Sequence, residues 1–259
     1  METVENPINQ GFLDAKTVEN SIFNDDNFKR GMDMKEKDII NQLDEGATLS
    51  KENVSAAVIK RLPRYFRYLR MLIREGKTRI SSAELSKRMN ITASQIRQDL
   101  NCFGGFGQQG YGYNVNYLYA RICELLGVGA GLQAVIVGGG NLGRALAKND
   151  MFEKRGVDVV AIFDNDEKLV GTKVNDIPIL HIDEFERYTA THTVDMAVLT
   201  LPKEHALEMA QRIAETDVVG IWNFTGQELD SVDDDLVVEN VHLGDSLMTL
   251  NYRITRKND

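Results

Sequence analysis

The chain has 259 residues, 42% of them apolar, which suits two folded domains that each bury a core of their own. Its two cysteines, Cys102 and Cys123, exclude a disulfide framework, and neither stands at zinc-ligand spacing. The formal charge of −9 is unevenly spread: residues 1–55 carry 6 Lys/Arg against 12 Asp/Glu, residues 56–131 carry 12 against 4, and residues 132–259 carry 12 against 23.

The nets are −6, +8 and −11. One basic block inside an acidic chain keeps most polyanions away while focusing positive potential on a single face, so nucleic acid is expected at residues 56–131. No stretch approaches the roughly 18 apolar residues of a membrane span, and the acidic N-terminus has no apolar signal core, so a soluble cytoplasmic protein is expected.

Residues 1–53 read as an acidic extension, flexible apart from a helical piece around Glu36 to Leu43. The functional alternative is a partner-binding arm or an acidic mimic that competes with DNA for the basic block. From Ala56, the apolar residues Val58, Ile59, Leu62, Phe66, Leu69, Leu72 and Ile73 recur at helical spacing, with arginines largely on the other faces, and Gly76 ends this helix. Ser81 with Glu84 forms a capping-box pattern for a second helix that ends near Met89 and Asn90. Thr92 caps a third helix, Ala93 to Phe103.

Two short helices joined by a tight turn, with Ala83, Leu85, Ile91 and Ile96 inward, predict a helix-turn-helix. Its second helix would offer Thr92, Ser94, Gln95, Arg97 and Gln98 to a major groove. Arg suits guanine and Gln suits adenine there, each good bidentate pair contributing roughly 1–3 kcal/mol of discrimination. A solvated polar helix face is the plainer reading of the same residues. Five glycines with interleaved aromatics between Gly104 and Tyr113 predict a wing hairpin, its alternative being a simple connecting loop. A helix from Tyr117 to Leu126 and a linker at Gly127 to Gly131 follow.

An apolar strand, Gln133 to Val137, then runs into Gly138-x-Gly140-x-x-Gly143. Gly138 permits the tight turn, Gly140 a close approach of pyrophosphate, and Gly143 helix–strand packing, while the helix starting near Asn141 offers free amides to phosphate. A second strand, Val157 to Phe163, ends in Asp164, placed to accept from a ribose 2′-hydroxyl and repel a 2′-phosphate, which favours NAD(H) over NADP(H). Strands at Ile177 to Leu180, Asp195 to Leu199 and Val218 to Trp222 alternate with helices at Asp183 to Tyr188 and Glu204 to Glu215. The strand ends at Thr200 to Pro202 and at Asn223 are candidates to line a nicotinamide.

Arg61-Leu62-Pro63-x-Tyr65, Ser81-Ser82-x-Glu84-Leu85, Arg97-x-Asp99-Leu100, Phe103-Gly104-x-Phe106-Gly107, Gly110-x-Gly112-Tyr113, Gly138-x-Gly140-Asn141-Leu142-Gly143 and Phe163-Asp164-x-Asp166 together resemble the Rex family of bacterial redox-sensing repressors, over about residues 54–254. The resemblance implies an α/β protein with an N-terminal winged helix-turn-helix domain (54–131), a C-terminal Rossmann-like parallel-sheet domain (132–240) and a domain-swapped helix with its tail (241–259). It implies a homodimer bound to operator DNA, released by NADH and permitted to bind by NAD⁺. Cofactor contacts then fall to Gly138, Gly140, Asn141, Leu142, Gly143, Asp164, Thr200, Pro202 and Asn223, and Arg61, Gln108, Gln109 and Tyr111 join the DNA-binding residues. At the dimer, Leu243, Leu247 and Leu250 form an apolar stripe with Ile254, and Arg67 pairs in the family with an Asp at the position of His242.

This chain departs from the family pattern at Gln98, at Gln109, at Asn101-Cys102 and at His242, so a paralogue with an altered response is the second expectation. Fewer cations at the reading surface imply a shallower salt dependence. Cys102 is expected to be a small buried residue, with a peroxide-sensitive thiol as the alternative. Two other classes remain open. A Rossmann oxidoreductase would need a proton-transfer group, and none of His181, His192, His205 and His242 sits in an organising motif. The other is a site for the adenosine part of coenzyme A, against which Asp164 argues.

Overall fold

In the computed structural model, residues 54–102, 107–108, 112–230 and 232–257 are described, and they belong to two compact units. The first comprises residues up to Gly131 with Lys154–Gly156, and the second comprises Leu132–Glu153 and Val157 onward. The expectations for residues 1–53, for the glycine-rich segment 103–106 and for the hairpin tip with Gln109 and Tyr111 lie outside the described residues.

The first unit opens with two helices where the apolar spacing predicted one: α1 (Ala56–Ile59) and α2 (Leu62–Arg74). Pro63 explains the break, since it has no amide to give the carbonyl of Ile59 and its ring crowds that carbonyl. Gly76, at φ +74°, ends α2 in a Schellman turn: its amide donates to Ile73 O and that of Lys77 to Leu72 O, both at 2.9 Å. A short strand β1 (Arg79–Ile80) leads to α3 (Ser82–Met89) and α4 (Ala93–Asn101).

Both predicted caps are formed. Ser81 Oγ accepts from Glu84 N at 3.1 Å while Ser81 N donates back to Glu84 Oε2 at 3.3 Å, and Thr92 Oγ1 accepts from Gln95 N at 3.1 Å. Strands β2 (Gly107–Gln108) and β3 (Gly112–Asn114) complete a three-stranded antiparallel sheet ordered β1-β3-β2, and α5 (Val115–Leu125) starts at an Asn114 cap. Leu62, Leu69, Leu72, Leu85, Met89, Ile96, Leu118 and Ile122 fill one core, with Phe66 stacked on Tyr119 at 5.3 Å. Ile91 packs against this core, whereas Ala83, expected inward, is exposed because Leu85 and Met89 already supply the buried side of α3. Cys102 is exposed as well, at the end of α4, which corrects the buried role expected of it; Cys123 is buried.

The second unit is a seven-stranded sheet, β4 (Leu132–Val137), β5 (Val157–Asp164), β6 (Lys173–Val174), β7 (Ile177–His181), β8 (Met196–Leu199), β9 (Gly220–Asn223) and β10 (Val237–Asn240), in the order β10-β9-β8-β4-β5-β7-β6. All neighbours run parallel except the β6–β7 pair. Without β6 this is the doubly wound dinucleotide-binding order, in which the chain reverses direction across the sheet between β4 and β8. Helices α6 (Asn141–Ala147), α7 (Phe185–Thr189) and α8 (Ala206–Ala214) form the crossovers, and two apolar clusters, one around Val135, Phe163 and Ile213 and the other around Ile136, Ile162 and Phe152, fill out the core of this unit.

In the second unit two strands, β6 and β10, escaped the sequence reading, as β1 did in the first. One is two residues long, and the other shows its valines to solvent or half-buried rather than as an apolar run. The last helix, α9 (Leu243–Thr255), buries none of its residues against the rest of the chain.

Candidate dinucleotide cleft and DNA-reading surface

A cleft of about 580 Å³ opens at the carboxyl ends of β4, β5 and β8, lined among others by Gly138, Gly140, Asp164, Thr200, Pro202 and Arg212. It sits where open α/β sheets bind ligands, because the loops after β4 and β8 part there in opposite directions. The three motif glycines have different physical reasons. Gly138 has φ +106°, and a Cβ on it would meet the Thr200 carbonyl carbon at 2.8 Å. A Cβ on Gly143 would lie 1.9 Å from Gly138 O, so helix and loop touch only because no side chain intervenes.

Gly140 differs from both: nothing lies within 4 Å of where its Cβ would be. The protein itself leaves room there, as close passage of a pyrophosphate requires. The first intrahelical bond of α6 runs from Arg144 N to Gly140 O at 3.1 Å, so the amides of Asn141, Leu142 and Gly143 precede the helix's own bonding and carry positive partial charge next to Gly140 in sequence. Leu142 is 37% exposed, and Asn141 Oδ1 accepts from Arg144 Nη2 at 3.3 Å.

Asp164 closes the other side. Its Oδ2 accepts from Gly139 N at 2.5 Å and its Oδ1 from Asp166 N at 2.8 Å, which fixes the carboxylate at the cleft edge with lone pairs left for a further donor. Thr200 Oγ1 donates to Gly138 O at 2.8 Å and so ties the β8 loop to the glycine turn. Asn223 does something other than expected. It is 1% exposed, its Nδ2 donates to Gln227 O at 2.6 Å and Asn240 Oδ1 at 2.7 Å, and its Oδ1 accepts from Thr225 N and Oγ1. With both protons and both lone pairs engaged, it holds the loop after β9 and has nothing left to offer a nicotinamide.

The sequence reading missed Ile182, His205, Glu208, Met209 and Arg212 in the cleft lining, while Leu201 lies there within the expected Thr200 to Pro202 stretch. The signal was the 205, 208, 209, 212 spacing, one face of one helical stretch. Arg212 is held by a fork on Glu186, Nε to Oε1 at 2.7 Å and Nη2 to Oε2 at 3.1 Å, and donates to Ile182 O at 3.1 Å. That hydrogen bond raises the Arg212 pKa and lowers that of Glu186, so both stay charged and α8 stays fastened to α7.

In the first unit, α4 presents Ser94, Arg97 and Gln98 to solvent, with Arg97 Nη1 donating to Ser82 Oγ at 3.2 Å. The other expected readers have structural tasks. Thr92 is the cap, and Gln95 Nε2 donates to Asp99 Oδ1 at 2.8 Å. Arg61 makes a fork to the same carboxylate, Nε to Oδ2 at 2.8 Å and Nη2 to Oδ1 at 2.7 Å, and Tyr65 OH donates to Oδ2 at 2.9 Å. Asp99 is fully buried. Burial pushes its pKa up, but the bonds from Arg61, Gln95 and Tyr65 outweigh that and hold it below the usual carboxylate range, while burial and Asp99 push the Tyr65 phenol far up.

Gln108 lies in β2, opposite Gly112 in the wing sheet. Arg67 is exposed on α2, in a shallow groove with Arg64, Tyr68 and Met71. His242 precedes α9, where its Nε2 lies 3.0 Å from Glu228 Oε1. Leu243, Leu247 and Leu250 are 65%, 58% and 52% exposed.

Residues 53–101 match a family described as "Putative DNA-binding protein N-terminus", and residues 132–226 match one described as a CoA binding domain. A redox-sensing transcriptional repressor Rex from Caldicellulosiruptor saccharolyticus is 51% identical over 207 residues, 80% of this chain and 94% of that protein. The chain belongs to the Rex family of redox-sensing transcriptional repressors. Among solved Rex-family structures, RSP in complex with β-NAD⁺ and operator DNA is 46% identical, with a TM-score of 0.74 over 80% of this chain and 94% of that one. RSP in complex with β-NADH is 43% identical, with a TM-score of 0.73 over 79% and 96%. The Rex relatives share the two-part architecture described above, a DNA-binding N-terminal domain and a Rossmann-like C-terminal domain.

Proposed function

We propose that the chain is a homodimeric repressor that holds operator DNA through α4 and the wing and lets go when NADH occupies the cleft. The observation that carries this is the pairing, in one chain, of a switch-point cleft left open at Gly140 with a basic helix-turn-helix unit, in a relative of a protein solved with both NAD⁺ and operator DNA. The residues fit a dinucleotide: the amides of Asn141, Leu142 and Gly143 face a diphosphate, Asp164 accepts from a ribose hydroxyl, and Thr200 and Pro202 line the path beyond. Asp164 favours NAD(H) over a 2′-phosphorylated dinucleotide and over coenzyme A.

When bound, the dinucleotide supplies a nicotinamide ring that is cationic when oxidised and neutral when reduced. Sensing then requires the cleft to hold the two forms with unequal affinity in the DNA-competent and released dimers. The exposed apolar face of α9 supports a partner subunit as its cover, and closure of the paired Rossmann units resets the separation of the two α4 helices, which must match half-sites about 34 Å apart. Ser94, Arg97 and Gln98 read bases, while Arg61, Thr92 and Gln95 hold the reading helix in place. The cleft is a binding site and not a catalytic one, and the protein works in the cytoplasm.

One observation favours a second reading, a changed ligand response: His242 stands where the family has an acid for Arg67, and it contacts Glu228 instead. A single titration tests both. Operator duplex selected by the full-length protein is followed by fluorescence anisotropy while NADH rises at constant NAD⁺. Release by NADH supports the first reading, release by neither nucleotide the second, and failure to retain any duplex overturns both.

A further inference from the structure

We propose that residues 1–53 act as a tethered acidic competitor that occupies the cationic face of the winged-helix unit and weakens its grip on DNA. This rests on the DNA-binding reading above and goes beyond it. The four acids of residues 56–131 are each already engaged by a cation of the same block: Asp99 by Arg61, Glu75 by Arg88, Glu84 by Lys77 and Glu124 by Arg121. The block nevertheless keeps a net charge of +8, so that surplus is met from outside it, by small ions, by DNA phosphates or by another part of the chain.

Residues 1–55 bring the complement, 12 Asp/Glu against 6 Lys/Arg. They join the unit at the right place. Val54 packs against its core, Ser55 precedes α1, and Lys60 follows within one further turn. Arg61, next in sequence, is bonded directly to Asp99 on the reading helix. The attachment point is therefore a few residues from the arginine that clamps the reading helix, and a chain of this length spans up to about 170–190 Å when extended, so reach imposes no limit. Covalent attachment raises the local concentration of these carboxylates to the millimolar order. The segment is also what distinguishes this chain: the 51%-identical relative aligns over 94% of its own length yet covers only 80% of this chain, and the DNA-binding family match starts at residue 53.

Competition of this kind has a signature in salt. DNA binding and arm binding both weaken as salt rises, so the inhibition fades and the salt dependence of the full chain is shallower than that of a chain without the acidic arm. An arm on the face nine-tenths of the time lowers apparent DNA affinity about tenfold.

The test compares three proteins by anisotropy with a random-sequence duplex, from about 50 mM to about 400 mM salt. They are the full chain, a full-length variant whose charged residues in 1–53, acidic and basic alike, are replaced by Asn, Gln or Ser, and a deletion of 1–53. Thermal unfolding checks that all three fold. The expected result is about tenfold tighter binding by both variants at low salt, with the three curves converging at high salt. Equal affinity at every salt concentration overturns the arm and leaves the DNA-binding reading standing, as does a gap that does not change with salt. If none of the three binds any duplex, both fall together.

Discussion

Replacing Asp99 with Ala should loosen the reading helix strongly. The carboxylate is fully buried and accepts four bonds, from Arg61 Nε and Nη2, Tyr65 OH and Gln95 Nε2, at 2.7–2.9 Å. Breaking a buried ion pair typically costs about 3–5 kcal/mol, because the surviving charge is left uncompensated. Here the Arg61 side chain is 29% exposed and water relieves part of that, whereas the Tyr65 hydroxyl is buried and loses its acceptor at roughly 1–3 kcal/mol. The balance is about 3 kcal/mol, or some two decades in an opening equilibrium.

Hydrogen exchange read by mass spectrometry on peptides covering 92–101 measures this directly. Protection there should fall about a hundredfold in the variant and remain unchanged in β4 to β8 of the second unit. The combined change Arg61→Met with Asp99→Leu should recover part of the loss, since an apolar pair leaves no orphaned charge. Protection in α4 within threefold of the parent would refute the assignment of Asp99 as the anchor of the reading helix.

The same carboxylate sets a pH limit. Its pKa is held below the ordinary value of 3.8, so the folded unit takes up that proton less readily than the unfolded chain. Its stabilisation is complete at neutral pH and drains away as pH falls through and below about 4, and Asp99→Asn should flatten this acid limb in urea titrations. Gly143→Ala, with its Cβ 1.9 Å from Gly138 O, should lower the melting temperature of the second unit and abolish dinucleotide binding. Gly140→Ala should leave the melting temperature unchanged while weakening NADH binding in calorimetry by tenfold or more, since its Cβ meets no protein atom and enters the space proposed for the pyrophosphate. Asp164→Ser should cost about 1.5–3 kcal/mol in NADH affinity and narrow the preference over NADPH, and an unchanged preference would remove Asp164 from the ribose site. Leu247→Asp, at a 58% exposed position, should leave the subunit folded and shift light scattering from dimer to monomer.

Legibility in the sequence followed locality. Caps at Ser81, Thr92 and the glycine turn at 138–143 were readable because each is set by residues within one turn of chain. The break at Lys60 and Arg61 was readable in principle from Pro63, but the apolar spacing that runs across it from Val58 to Leu62 masked it. Roles decided by contacts across long sequence separations were not legible. Arg61, given to DNA by the resemblance, is also bonded to Asp99, 38 residues away, and Asn223 looks like a ligand group until Asn240, 17 residues on, takes one of its protons. The cleft wall at His205, Met209 and Arg212 lay hidden for the same reason: only the crossover after β8 brings α8 beside Asp164.

A helix of 13 residues that shows Leu243, Leu247, Met248, Leu250, Tyr252 and Ile254 to water makes each newly made subunit incomplete. Whatever covers that helix ties its lifetime to supply: at low abundance the bare apolar face invites proteases and chaperones, at high abundance it is quenched by mass action. Where that cover is a second copy of the chain, the amount of protein made sets how much of it is complete.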